Sequence, residues 1–492
     1  MREVISLITL ESLNLYTLFP MIILCAGALF IICVDICKKE LSRNFYTCVS
    51  MLFLAAALIC VVSFGDKNES GFFDMITIDG ISKLSQIIII AASLLFVPLA
   101  LCKKEFFEHK FAEYFALLLF AAAGFLFMVS TTNLILIFIG LETASLCLYT
   151  MIAMHNRAKS IEAALKYFTM GALASGFYAF GAMIFYALSA NADINEIFLT
   201  LSMNNFEPLF SVILALSMML GAIGFKLSLI PFHTWMPDVY EGSPAPLAGY
   251  ISIAPKVAAF AVTVRIFEPF ILDGVIWAEN IFYILAVVTM TLANLMALVQ
   301  TDVKRMLSFS SMSHAAFILC AVLAGTKQAN SAVFVYWMLF MFTNMGAFAL
   351  LWAARNDANL YDTRFQHPFV KFSGLIKTAP VTAVLMALFL LSLAGIPPFS
   401  VFWGKIYIMS AVINDGYIVL AVIMAVNSAI AAYYYLKLIV YMFLAEPSEK
   451  DGKIYVQNAS LTVSAVVGIA AGITLAAVLL VEPVMKMSEY FL

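Results

Sequence analysis

The sequence predicts an all-α polytopic membrane protein of about fourteen transmembrane helices, and three observations predict it. Hydrophobic residues fill 64% of the 492 positions and charged residues only 12%, a balance that belongs in lipid. The apolar stretches run unbroken for about 20 residues, the length a helix needs to cross the hydrocarbon core. None of them alternates like the strands of a membrane barrel. A net charge of −3 is too small to point to nucleic acid or another polyanionic partner.

Apolar windows of that length fall at 13–35, 43–64, 78–101, 113–130, 133–154, 162–189, 207–230, 244–267, 276–299, 305–325, 329–353, 379–411, 416–444 and 459–481, spans 1 to 14. The first run continues as span 1 without the small-residue cleavage site of a signal peptide. Eight cysteines are scattered along the chain as Cys25, Cys33, Cys37, Cys48, Cys60, Cys102, Cys147 and Cys320. Without a CxxC pair or a four-ligand spacing, iron-sulfur and structural zinc sites are not expected. Walker loops, a GxGxxG after a strand and a haem-ligand pair are also missing, so redox and nucleotide chemistry is expected in other chains.

Loop charge sets the orientation. The loops after odd-numbered spans hold Lys38, Lys39, Arg43, Lys103, Lys104, Lys110, Arg157, Lys159, Lys304, Arg305, Arg355, Arg364, Lys371, Lys377, Lys450 and Lys453. The other side holds only Arg2, Lys67, Lys327 and Lys486. Basic loops stay in the cytoplasm, so both termini are expected on the periplasmic side. The loop at about 354–378 reads as an ordinary cytoplasmic loop or as a surface for a partner.

Ionisable groups inside spans are costly and mark ion paths. Span 5 carries Glu142 in GLETASLCLY, and span 7 carries Lys226 in FKLSLIPFHTW. Burial raises a carboxyl pKa and a nearby ammonium lowers it, so such a pair can exchange protons near neutral pH; a static ion pair is the other reading. Lys166 in EAALKYF stands one turn into span 6, on the path or snorkelling to the interface. Span 7 breaks at Pro231, presents His233, and is followed by Asp238 and Glu241, a proton mouth or a tie to basic residues. Lys256 follows Pro255 in span 8. Lys83, Arg265 and Lys437 lie nearer span ends, where snorkelling is expected. His314 in MLSFSSMSHAAF of span 10 can relay protons or bond a neighbouring helix. Lys405 lies beyond the Gly-Ile-Pro-Pro break of span 12.

Two proline-broken, lysine-bearing helices five spans apart suggest a repeat, because matched interruptions mark the two halves of a transporter. Five is odd, so spans 4–8 and 9–13 are expected to be inverted copies. The chain then divides into 1–112 with spans 1 to 3, 113–268 and 269–445 as the two five-helix units, and 446–492 with span 14.

The runs GLETASLCLY, EAALKYFTMGALASGF, FKLSLIPFHTWMPDVYEGSPAP, DVKRMLSFSSMSHAAF and SLAGIPPFSVFWGK together resemble the antiporter-like membrane subunits of respiratory complex I, the NADH-quinone oxidoreductases. The likeness covers roughly 113–445. The PDVYEG loop and a lysine in span 12, where a sibling branch places glutamate, resemble the N-type branch. There is also little sequence after span 14 for the lateral helix of another sibling. SVFWGK departs from the glycine that commonly precedes the phenylalanine.

The resemblance implies a hydrophilic axis with Glu142 and Lys226 as the pair, Lys256 as the connecting lysine and Lys405 as the terminal one, supported by Lys166, His233 and His314. It implies proton translocation coupled to electron transfer from NADH to quinone. This chain would hold no cofactor; NADH, FMN, iron-sulfur clusters and quinone would belong to partner subunits. Partners would be a neighbouring antiporter-like subunit and small membrane subunits, in a bacterial inner membrane. A subunit of a multisubunit sodium/proton antiporter, a structural spacer in the membrane arm and an independent solute transporter are the alternatives.

Overall fold

The computed structural model describes residues 13–38, 41–66, 68–101, 111–356, 366–447, 454–456 and 460–492. Of the residues used for orientation, Arg2, Lys39, Lys67, Lys103, Lys104, Lys110, Arg364, Lys450 and Lys453 lie outside them, as do Cys102 and part of the 354–378 loop.

Among the described residues thirteen helices are long and apolar enough to cross a membrane: Leu15–Cys37, Arg43–Ser63, Gly80–Ala100, Phe111–Val129, Leu134–Ala153, Ala158–Ser189, Leu209–Leu227, Ala245–Leu272, Trp277–Leu298, Val303–Ala324, Lys327–Ala353, Ile418–Leu444 and Leu461–Phe491. They are spans 1 to 11, 13 and 14. Span 12 is divided into Pro380–Ala394 and Ser400–Asn414, fifteen residues each and too short singly. Span 14 runs ten residues beyond its predicted end. Side chains set several starts: Asn133 accepts from the amides of Ile135 and Leu136, Asp302 from those of Lys304 and Arg305, and Asp79 forms a capping box with Ser82, each meeting amides a helix start leaves free.

Spans 8 and 10 are buried along their length and span 11 nearly so, while spans 1, 2, 6, 9, 13 and 14 leave an apolar face outward. Span 4 packs on span 5, span 6 on span 7, span 9 on span 10, and span 11 on span 14 and the second half of span 12. The interruption of span 7 in the first five-span unit is matched by that of span 12 in the second, and the odd count sets the units in opposite senses. A short amphipathic helix, Ile194–Met203, joins spans 6 and 7. Strands β1 (Glu69–Gly71) and β2 (Ile76–Ile78) pair antiparallel with Glu69 opposite Ile78. β3 (Ala354–Asn356) and β4 (Ile454–Val456) pair with Ala354 opposite Val456, tying the segment after span 11 to the one before span 14.

The breaks have identifiable partners. Span 7 ends at Leu227, with Ser228 in the left-handed region at φ 59°. The indole of Trp235 donates to the Phe225 carbonyl at 2.9 Å and Thr289 accepts from the Ile230 amide at 3.0 Å. The chain then forms a short helix outside the spans, Trp235–Gly242, packed between spans 6 and 10. In span 12 the hydroxyls of Thr343, Ser392, Ser400 and Thr474 gather at the break, Thr343 to Ser400 at 2.8 Å and Ser392 to Ser400 at 2.9 Å. Polar side chains from neighbouring helices satisfy what an interrupted membrane helix leaves open. Val401, where the sequence departs from the family pattern, packs fully buried.

One expectation is corrected. Span 8, read as continuous, is interrupted between Ala245–Ile251 and Ala254–Leu272, because Pro255 has no amide to give the Ile251 carbonyl. Asn344 of span 11 donates to the Ser252 hydroxyl there at 2.5 Å.

Candidate proton path

Lys226 sits in the last turn of its helix and is buried, with 6% exposed. Cations favour the C-terminal end of a helix dipole. Its ammonium donates to the Ser145 hydroxyl of span 5 at 2.7 Å. Three rings surround it, Tyr149 at 5.6 Å, Tyr167 at 5.3 Å and Phe225 at 5.4 Å, within cation–π range. Glu142 stands one helical turn before Ser145 and accepts from the Ser175 hydroxyl of span 6. Among the described residues no direct ion pair joins Glu142 to Lys226.

Lys256, 1% exposed, donates to both the carbonyl and the hydroxyl of Ser311 in span 10, each at 2.9 Å. One turn on from Ser311, His314 is held at both ring nitrogens, Nδ1 to the Tyr336 hydroxyl at 2.6 Å and Nε2 to that of Tyr435 at 3.1 Å. Tyr435 also shares a hydrogen bond with Ser310. Lys405 is 6% exposed and donates to the Ala394 carbonyl at 3.0 Å, a group the helix break freed. Its ammonium lies 5.8 Å from the centre of the Phe317 ring. His314 and Lys405 line one enclosed cavity of about 10 Å³ with Ser313, Asn427, Ser428 and Tyr434, room for about one water molecule. A second polar contact inside the spans joins Asn294 to Asn427, with Tyr434 donating to Asn294 at 3.2 Å.

Lys166 is placed elsewhere. It pairs with Asp238 at 2.7 Å and Glu162 at 2.6 Å, in a network where Arg305 holds Asp238 at 2.9 Å and Glu241 at 2.8 Å and Lys159 holds Glu241 at 2.8 Å. Burial opposes ionisation of Asp238, yet Lys166 and Arg305 hold its carboxyl below the usual range; burial opposes ionisation of Glu241 too, and Lys159 and Arg305 outweigh it. Lys304, taken from sequence as a loop charge, is fully buried and donates to the carbonyls of Glu241 at 2.7 Å and Ser243 at 3.0 Å. The network pins the helix after the break, and a cleft of about 170 Å³ opens beside it. His233 is half-buried, its Nδ1 without a hydrogen-bond partner among the described residues, and no hydrogen bond links it to Lys226 or Lys256.

Snorkelling fails for two lysine-or-arginine positions. Arg265 is buried and pairs with Asp79 at 2.8 Å, and burial resists ionisation of Asp79 but Arg265 and Ser82 hold its carboxyl low. Lys83 is buried and donates to the Gly65 carbonyl at 3.0 Å. Lys437 lies over the Phe369 ring at 5.3 Å. The tyrosines that surround Lys226 and hold His314 were not singled out in the sequence. For Ser311 the serine-rich run beside His314 was the available signal; Ser145 offered none beyond its place one turn from Glu142. Among the described residues no group of three His, Cys, Asp or Glu side chains could hold a metal ion.

A helical bundle with inverted units and buried lysines at its helix breaks defines an antiporter-like membrane subunit. The model of the NADH:quinone oxidoreductase/Mrp antiporter membrane family matches residues 131–431, and the chain belongs to that family, in the branch of subunit N. The NADH-quinone oxidoreductase subunit N of Sulfurimonas denitrificans is 56% identical over 470 residues, covering 94% of both chains. That of Campylobacter concisus is 52% identical over 488 residues, covering 99% of this chain and 98% of the relative. A chain of respiratory complex I from Thermus thermophilus superposes with a TM-score of 0.80 at 29% identity, covering 95% of this chain and 98% of its own. A chain of the Mrp complex from Dietzia sp. shares the fold, with a TM-score of 0.81 at 21% identity over 98% and 97%.

Proposed function

We propose that the chain moves protons across a bacterial inner membrane as a subunit of an NADH-quinone oxidoreductase. Electron transfer from NADH through FMN and iron-sulfur clusters to quinone belongs to partner subunits, and a neighbouring antiporter-like subunit and small membrane subunits complete the arm. The face carrying Lys159 and Arg305 is cytoplasmic, the face carrying Asp79 and Arg265 periplasmic, and both termini lie on the latter. The inverted units span 113–268 and 269–445, between 1–112 and 446–492.

The observation that carries this reading is the choice of partners for three buried ammonium groups. Lys226, Lys256 and Lys405 donate to serine oxygens and a freed carbonyl deep inside the spans, none of them to a carboxylate among the described residues. Neutral acceptors let a lysine give up its proton without leaving a buried carboxylate unpaired, the large penalty of breaking an ion pair. Inserting such charges costs about 3 kcal/mol each at mid-membrane, which anchoring alone does not require.

A change of field from the redox arm would alter the attraction between Glu142 and Lys226, lower the proton affinity of Lys226 and pass charge towards Lys256. The buried hydroxyls of Tyr149, Tyr167 and Tyr240 have no hydrogen-bond partner in the protein among the described residues, and ordered water completes such groups. From Lys256, Ser311 and His314 lead to the cavity of Lys405. Lys166 serves by fixing the helix after the break, and His233 stands at its edge.

The test is Lys256→Met in the complete complex, with assembly checked on native gels. Quinone reduction and proton pumping are both expected to fall at least about tenfold in an assembled complex. Pumping at the wild-type rate would support the spacer reading, and transport that follows sodium rather than protons would support the antiporter one.

A further inference from the structure

A second chamber, of about 500 Å³, opens at the opposite end of the molecule from the Lys159–Arg305 network. Spans 3, 8 and 11 and the Ile194–Met203 helix contribute to its lining, which includes Asp79, Thr132, Asn195, Arg265, Glu268 and Asn330. Glu268 lies twelve residues beyond Lys256 on span 8 and is only 8% exposed. Among the described residues no lysine or arginine pairs with it. Its partner is one amide: Asn330 Nδ2 donates to both carboxyl oxygens, at 2.9 and 3.1 Å.

The other half of that amide is unsatisfied. Asn330 Oδ1 is buried with no hydrogen-bond partner among the described residues, and a buried acceptor left without a donor is destabilising. An ionised carboxylate has no hydrogen to offer it. A protonated one does: its O–H can donate to Oδ1 while Nδ2 donates to the remaining carboxyl oxygen, a reciprocal acid–amide pair. A buried carboxyl without a cation beside an amide oxygen without a donor can therefore take up a proton, and the adjoining chamber gives that proton a way out. Pro269 follows directly and removes the amide that would bond the Arg265 carbonyl, loosening the helix at this level.

We propose that Glu268 with Asn330 is the proton-release site on the periplasmic face, a site that rests on the proton-translocating reading above. The step is a simple transfer, Glu268 carboxylic acid giving its proton to chamber water and becoming carboxylate. The charged groups on the elements around it are Lys256 and Arg265 on its own helix, Asp273 just past that helix, Asp79 at the start of span 3 and Lys83 one turn into it. Asp193 capping the short helix, Glu196 on it and Lys327 one turn before Asn330 complete them. Arg265 is engaged by Asp79 and by the Val129 carbonyl at 3.2 Å and forms no ion pair with Glu268 among the described residues.

The experiment uses the assembled complex in sealed vesicles with three variants. Glu268→Gln keeps an amide in place of the acid and is expected to lower pumping at least about tenfold. Asn330→Leu keeps the carboxyl, removes its partner, and is expected to displace the pH profile of pumping. Infrared difference spectra over a pH titration are expected to show a protonated-carboxyl band that Glu268→Gln abolishes. Wild-type pumping in Glu268→Gln overturns the proposal, as does an unchanged pH profile in Asn330→Leu. If Glu268→Gln does not assemble, the Asn330→Leu profile and the wild-type spectrum decide. Lys256→Met run alongside separates the two failures: its loss of pumping with Glu268→Gln unaffected sinks only the release site.

Discussion

Lys226 and Glu142 form no ion pair: the lysine donates to Ser145 at 2.7 Å, and the glutamate, one turn away on the same helix as Ser145, accepts from Ser175 of span 6. Separation of this kind permits the pair to be tuned by small motions, because neither group is locked into a contact ion pair.

Ser145→Ala removes the oxygen that holds the Lys226 ammonium. Hydrogen bonds to charged groups contribute about 1.5–3 kcal/mol, so coupled quinone reduction is expected to fall about tenfold. Ser145→Thr, which keeps the hydroxyl, is expected to retain most of the rate. Equal rates for Ala and wild type would show that Ser145 is a bystander.

Gly395 ends the first half of span 12 at φ +79°, and a Cβ there would meet Lys405 Cδ at 2.8 Å and Nζ at 2.9 Å. Gly395→Ala combines about 1–2 kcal/mol of left-handed strain with displacement of the ammonium from the Ala394 carbonyl. Pumping is expected to drop in complexes that still assemble. Full pumping would mean that Lys405 does not need this position.

Tyr435→Phe deletes the partner of His314 Nε2 and of Ser310. Losing hydrogen bonds of about 1 kcal/mol each predicts a several-fold slower turnover, with the larger effect in Tyr336→Phe Tyr435→Phe. A double variant no worse than either single would contradict a path through His314.

Much of this was legible in the sequence because charge inside apolar sequence is conspicuous. Lys226, Lys256 and Lys405 were found that way, and Pro231 and the 397–398 prolines located the breaks of spans 7 and 12. The partners were not legible, since serines and tyrosines on membrane helices carry no sign of which neighbour they face. Arg265 was misjudged for a related reason: near the end of a span, snorkelling and pairing read alike until Asp79 is seen 2.8 Å away. Glu268 fell just past the predicted end of span 8 at 267, and the following Pro269 was the one local hint that the helix was opened there.

The Asp238–Glu241 network predicts acid sensitivity of the helix Trp235–Gly242. Both carboxyls are held below their ordinary values of 3.8 and 4.5. A depressed folded value means the stabilisation is present above the unfolded value and is lost as pH falls through the folded one. Hydrogen exchange of this segment is expected to stay slow above about pH 4.5 and to accelerate below it. Arg305→Met, which removes two of the contacts, is expected to speed exchange already at neutral pH. Unchanged exchange in that variant would show that burial alone fixes the helix.

The most direct test of the central claim is Lys226→Met in the complete complex, with assembly verified and with quinone reduction and proton pumping measured on the same membranes. The account predicts an assembled complex in which both activities collapse together, because the buried lysine is part of the coupled path. An assembled complex that reduces quinone and pumps at wild-type rates would contradict it.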